Sequence, residues 1–180
     1  NDVLTRKIEK LEVKDYVTGL YNAIFIRNRL QEEIRRAIAY QRPCSYVVFD
    51  IDNCKDIISN CAADKAEALL KRIAYTIRDG VTEIDRVGRI DDDAFAIIVP
   101  EKNKRQAHTL AEAIRVKIAE CVANDVGIDR QVTVSAGVSE NPLDGTTAEE
   151  LMEKANLLLK TSKKQGKNKV TGITEPPICR

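Results

Sequence analysis

The sequence predicts one α/β domain, of the α+β kind, in which a central sheet is wrapped by helices and a β-hairpin lies in mid-chain. Three observations predict it. Long stretches with apolar residues three and four apart alternate with short apolar runs. One of those runs, Tyr46 to Phe49, is apolar without alternation, as in a strand covered on both faces. Two further strand-like runs, Asp85 to Ile90 and Ala94 to Val99, flank three consecutive aspartates at hairpin spacing.

Each element follows in order. Val3 to Lys14 carries Leu4, Ile8 and Leu11 among charged residues, a helix with a narrow apolar seam. That seam suits either packing on its own domain or the end of a coiled-coil signalling helix from an upstream sensor. Asp15 to Asn22 reads as a turn, with Gly19 free to take positive φ and Asn22 placed to cap the next helix. Ala23 to Tyr40 is a long amphipathic helix, with its apolar face assigned to Ile24, Phe25, Leu30, Ile34, Ala37 and Ile38. The buried strand then delivers Asp50 and Asp52 together at its end. Helices follow over Asp64 to Arg78, Gln106 to Val122 and Thr147 to Lys164. Gln131 to Ser139 alternates as a strand, and Lys169 to Ile173 is a closing strand. The organisation is thus an N-terminal helix over 1–14, a domain over 15–173 and an irregular tail over 174–180.

Composition excludes more than it assigns. With 180 residues the chain holds one ordinary domain, and 32% charged against 43% hydrophobic residues is globular rather than disordered. A net charge of +1 gives no bulk attraction to nucleic acid. The five cysteines are scattered without a Cys-x-x-Cys pair, which points to reduced thiols and a cytoplasmic setting. No apolar run reaches the ~20 residues of a membrane span, so direct membrane contact by this domain is not expected. Because the chain opens with Asn1 rather than Met, it reads as a piece of a longer protein, other parts of which could be membrane-bound. His108 stands alone and supports no His-based chemistry; it reads as a surface residue.

Four motifs in order resemble the GGDEF domain of diguanylate cyclases. They are Asp15-x-x-Thr18-Gly19-Leu20-x-Asn22, Phe49-Asp50-Ile51-Asp52-Asn53-Cys54-Lys55, Arg89-x-Asp91-Asp92-Asp93-Ala94-Phe95-Ala96, and Val132-Thr133-Val134-Ser135-x-Gly137 followed by a helix ending at Lys163 to Asn168. The resemblance implies a palm-like nucleotidyl cyclase fold with about five strands. It further implies that two GTP molecules are joined into cyclic di-GMP across a dimer of such domains, with two divalent cations. By position Asp50, Asp93 and the carbonyl of Ile51 match the metal ligands, and hard oxygen donors suit Mg²⁺ or Mn²⁺ on a triphosphate. Without the resemblance, Asp50 and Asp52 read rather as caps of a following turn or helix. Lys163 and Lys167 fall where the family contacts phosphates, or form a solvated basic helix end.

The departures matter as much. The family places two glycines where this chain has Asp91 and Asp92, so two side chains, both negative, enter the space of the nucleotide. A like-charge pair about 4 Å apart is worth about 1 kcal/mol in water and about 4 kcal/mol at the effective dielectric near a protein surface. Ala94 replaces a glutamate and can neither ligate nor transfer a proton. At the base pocket Ile58 stands for Asn and Glu67 for Asp; the inhibitory product site, Arg-x-x-Asp in the family, reads Thr82 to Asp85 without the arginine. The expected function is therefore a degenerate, non-catalytic regulatory or interaction module in bacterial cyclic di-GMP signalling, partnered by a signalling protein or sensor domain through the N-terminal helix, with a homodimer as a further candidate assembly. The alternatives are a weak or altered nucleotidyl transferase, or a GTP or metal sensor without turnover. The acidic turn itself stays open between a soluble hairpin tip, a residual cation site and a surface for a basic partner.

Overall fold

A computed structural model describes residues 3–4 and 12–172. The expected helix over 1–14 and the tail over 174–180 lie largely or wholly outside the described residues; Val3 and Leu4 are helical and exposed. Within them the elements run α1 (Ala23–Tyr40), β1 (Cys44–Ile51), α2 (Cys54–Ser59), α3 (Ala63–Asp79), β2 (Arg86–Asp91), β3 (Ala94–Pro100) and α4 (Lys104–Lys117). α4 continues through a π-helical stretch, Ile118–Val122, into the short α5 (Ala123–Val126), followed by β4 (Val134–Asn141), α6 (Ala148–Lys164) and β5 (Val170–Thr171). The five strands form one sheet of order β2-β3-β1-β4-β5, antiparallel throughout except for the β4–β5 pair.

β1 is the central strand, and every residue of it except Asp50 is buried, as its unbroken apolar run requires. Its side chains alternate between two cores. Val47, Phe49 and Ile51 pack with Phe95, Ile97 and Val134 under α3 and α4; Tyr46 and Val48 pack with Ala96 and Ile98 under α1 and α6. β4 departs from the alternation read in its sequence: all eight of its residues are buried, because helices cover both faces. On one face α6 lies directly on the strand. A Cβ added at Gly137 would stand 2.0 Å from the carbonyl oxygen of Ala155, so only glycine lets the two backbones approach. Ser162 Oγ, donating to the Ala136 carbonyl at 2.8 Å, and Ser139 Oγ, donating to the Leu151 carbonyl at 2.7 Å, complete that seam.

α1 has the expected bounds, and its cap is as expected: Asn22 Oδ1 accepts from the Phe25 amide at 2.9 Å. Its buried face is not. Ile24 and Ile38 are 61% and 51% exposed, and Ile26, at 0%, faces the sheet with Leu30, Ile34 and Ala37. Four consecutive apolar residues, Ala23 to Ile26, leave the phase of the helix ambiguous in sequence; Gly88 of β2 resolves it, since a Cβ there would meet Ile26 Cγ1 at 2.2 Å. α2 is a short helix the sequence reading did not mark, opened by Asn53 at φ 54°. His108, expected on the surface, is half-buried and pairs with the Val170 carbonyl at 3.2 Å, where it helps hold β5. Cys44, Cys54, Cys61 and Cys121 are free thiols, and among the described residues no helix is long and apolar enough to cross a membrane.

Candidate functional site

The β-ladder brings the two distant acidic motifs to one end of the sheet. Asp50 pairs in register with Ala94, and the Ile51 amide donates to the Asp93 carbonyl at 3.0 Å. Asp91 pairs with Ala94 across the hairpin, so Asp92 and Asp93 alone span the turn. Neither is among the residues with positive φ, so the turn closes without glycine and stores no left-handed strain. The loss of glycine there is thus felt only in space and charge. Asp91 and Asp92 are exposed, and Asp91 Oδ1 accepts from the Asp92 amide at 2.8 Å, folding that carboxylate back on the turn. Arg89 clasps the turn from below, donating to the Asp92 carbonyl at 2.7 Å and pairing with Asp15 at 3.4 Å. Asp15 in turn accepts from the Thr18 amide and hydroxyl at 2.8 and 2.7 Å, which ties the first motif to the third.

Asp50 and Asp52, alike in sequence, have different fates. Asp52 is 3% exposed and fully engaged, accepting from Thr133 Oγ1 at 2.8 Å, Ser135 Oγ at 2.7 Å and the Asn168 amide at 3.0 Å. It is the structural aspartate. Asp50 faces the turn: Oδ2 pairs with Lys163 Nζ, while Oδ1 is buried without a hydrogen-bond partner. Burial, opposed by Lys163 and reinforced by the Asp93 carboxylate, pushes the Asp50 carboxyl up to about 6. The same neighbours act on Cys54, where burial first and then Asp93 and Asp50 push the thiol up to about 11 and keep it unreactive.

A raised carboxyl holds its proton more tightly folded than unfolded. Its contribution to stability is therefore full below the ordinary aspartate value of 3.8 and lost as pH rises through about 6. Asp50→Asn is expected to flatten this part of the profile, so that the variant gains stability relative to the parent between pH 4 and pH 7. Urea unfolding midpoints across that range measure it, and parallel profiles would contradict the assignment.

Two carboxylates, one with an unpaired buried oxygen, beside the Ile51 backbone are a donor set that suits Mg²⁺, which takes one or two protein carboxylates and completes its shell with water and phosphate. Among the described residues no group of three or more His, Cys, Asp or Glu is arranged to hold a metal unaided. Of the two basic residues expected at phosphates, Lys163 is paired with Asp50 and Lys167 Nζ donates to Asn53 Oδ1 at 2.6 Å. Both therefore belong to this end of the sheet. Ile58 on α2 is 37% exposed and apolar. Glu67 on α3 is exposed and pairs with Lys71 of its own helix at 2.6 Å. Thr82 and Asp85 have a structural partner rather than an open site: the buried Asp85 carboxylate accepts from the Thr82 amide and hydroxyl, each at 2.8 Å, and pairs with Lys102 at 3.2 Å.

Sequence reasoning missed Asn53, Asn168, Arg115 and Lys102 as supports of these groups. Asn53 and Asn168, both at positive φ, were the two with a local signal, since asparagine is enriched in that conformation.

A mostly antiparallel, palm-like sheet, with an aspartate at the end of its central strand facing an acidic hairpin turn, defines a nucleotidyl cyclase-like domain. The chain belongs to the family of the diguanylate cyclase GGDEF domain, whose model matches residues 12–169. It is 31% identical over 171 residues to the diguanylate cyclase VdcA of Vibrio cholerae, a match covering 91% of this chain and 48% of that protein. It is 28% identical over 166 residues to the bifunctional diguanylate cyclase/cyclic di-GMP phosphodiesterase MucR of Pseudomonas aeruginosa, covering 91% of this chain and 24% of that one. The chain thus spans less than half the length of these curated relatives. Among solved structures, the diguanylate cyclase SiaD of Pseudomonas aeruginosa in complex with its activator SiaC has the same fold, with a TM-score of 0.82 at 24% identity over 96% of this chain and 66% of SiaD.

Proposed function

We propose that this GGDEF domain does not synthesise cyclic di-GMP and works as a regulatory or protein-interaction module in bacterial cyclic di-GMP signalling. The observation that carries the reading is the signature turn. It is a well-formed hairpin tip that carries the exposed Asp91 and Asp92 where the family has glycines and Ala94 where the family has a glutamate, which supports a turn hostile to a triphosphate and short of a catalytic carboxylate. Ile58, without a polar group for a base edge, and Glu67, held by Lys71, support a weakened nucleotide pocket. The Thr82–Asp85–Lys102 cluster supports a structural role at the former product site. The partners proposed are an upstream sensor or signalling protein reached through the N-terminal segment, and a second copy of the chain. SiaD with its activator SiaC is a precedent for a protein of this fold regulated by a partner. The free thiols support a reducing, cytoplasmic setting.

The purified domain, incubated with GTP and Mg²⁺ or Mn²⁺, is expected to form no cyclic di-GMP above a no-enzyme control when products are separated by chromatography. Accumulation well above that control would overturn the reading. One observation favours a second reading, a weak or altered nucleotidyl transferase or a GTP or metal sensor: Asp50 and Asp93 remain adjacent, and Asp50 Oδ1 is unsatisfied, which supports an affinity for Mg²⁺ or Mn²⁺ there. Thermal stabilisation by a purine triphosphate with metal separates a binder from a non-binder, and product analysis separates a sensor from an enzyme.

A further inference from the structure

We propose that Lys163 is a tethered counter-ion which holds the Asp50–Asp93 site closed and must leave Asp50 for a divalent cation to enter. Lys163 is well placed for this. Its ammonium lies on Asp50 Oδ2, and its side chain, 35% exposed, keeps a path to water. Two further cations at this end of the sheet are committed elsewhere, Arg89 to Asp15 and the Asp92 carbonyl and Lys167 to Asn53 Oδ1. Lys163 is therefore the group that neutralises the paired carboxylates, and a carboxylate oxygen taken up by an ammonium is withheld from a metal.

The frame around Lys163 stands without that contact. Ser162, its chain neighbour, is bonded to the Ala136 carbonyl of β4. After α6 the chain turns back through Gly166, Lys167 and Asn168 at φ 111°, 64° and 48°. The turn is pinned by the Asn168 amide on Asp52 at 3.0 Å, by Lys167 Nζ on Asn53 at 2.6 Å, and by Arg115 Nη1 on Asn168 Oδ1 at 2.6 Å. Lys163 can thus swing away while α6 and its loop keep their positions. Cation binding becomes an exchange of one positive group for another, so it is weaker than the two carboxylates alone would make it. The inference stands whether or not the domain turns over GTP.

The test uses the whole 180-residue chain and metal alone. Mn²⁺ binding is followed by the electron paramagnetic resonance signal of the free ion, for the parent, Lys163→Met and Asp50→Asn. Lys163→Met is expected to bind about tenfold more tightly than the parent, equivalent to about 1.4 kcal/mol, and Asp50→Asn to lose binding. Equal or weaker binding by Lys163→Met overturns the proposal, as does the absence of binding in both parent and Lys163→Met. A second measurement needs no variant. Amine acetylation of the parent, read by mass spectrometry, is expected to rise at Lys163 when Mg²⁺ is added while Lys160 stays constant. Unchanged labelling of Lys163 at saturating Mg²⁺ overturns it equally. Neither readout involves nucleotide, so its failure is distinct from a failure of the cyclase assay.

Discussion

Replacing Gly137 by alanine is expected to cost about 3 kcal/mol or more of folding stability, at the upper end of what overpacking a core does. The added methyl would lie 2.0 Å from the Ala155 carbonyl oxygen and 2.6 Å from the Leu159 amide nitrogen. Both are backbone atoms of one helix, so no rotamer change relieves the clash; α6 must move as a body off β4. That would break the serine seam at Ser139 and Ser162 and draw Lys163 away from Asp50. Gly80→Ala is the comparison. Its methyl would meet the Ile114 side chain at 2.7 Å, which can turn aside, and about 1 kcal/mol is expected. Urea unfolding of the two variants beside the parent measures both. A Gly137→Ala loss no larger than that of Gly80→Ala would show that α6 does not rest on β4 as closely as described.

Asp52→Ala is expected to be nearly as damaging, by about 3 kcal/mol, for an electrostatic rather than a steric reason. Its carboxylate is the acceptor for Thr133, Ser135 and the Asn168 amide, and Ser135 is wholly buried. Truncation leaves Ser135 unpaired in the interior and the half-buried Thr133 hydroxyl and Asn168 amide without their acceptor, and hydrogen bonds to a charged group are worth about 1.5–3 kcal/mol each before relaxation. Asp52→Asn keeps the shape with one carbonyl oxygen and is expected to lose about half as much. The local signature is faster hydrogen exchange at Asn168, because the loop after α6 loses one of its pins. A loss below about 1 kcal/mol, with Asn168 still protected, would remove Asp52 from its structural role.

Asp50 and Asp52 illustrate how much of the site the sequence disclosed. Their motif and the acidic turn identified both ends of the pair, and the strand register placed Asp50 against Ala94 as hairpin and strand lengths required. The resemblance put Asp50 opposite Asp93, but the residue pattern alone did not separate it from Asp52, because their difference depends on Thr133 just before β4, Ser135 of β4 and Asn168 in the loop after α6. The Lys163–Asp50 pair joins residues 113 positions apart, and nothing local in either segment marks it. Thr82 and Asp85 were read through the family pattern as remnants of a ligand site, whereas their partner, Lys102, lies beyond the hairpin. α1 shows the same limit in a simpler form: its bounds followed from its Asn22 cap and its amphipathic stretch, but its phase was decided by the room Gly88 leaves for Ile26.

The sequence by itself determined the order of the longer elements, the family and which functional groups the signature positions lack. Periodicity and turn residues act locally, and a side chain such as Ala94 or Ile58 lacks a carboxylate or an amide in any fold. Only the tertiary structure decided which charged groups remain free. Pairing energies depend on distance and burial, and here both are set by α6 lying on Gly137, which carries Lys163 to Asp50 and the following loop to Asp52.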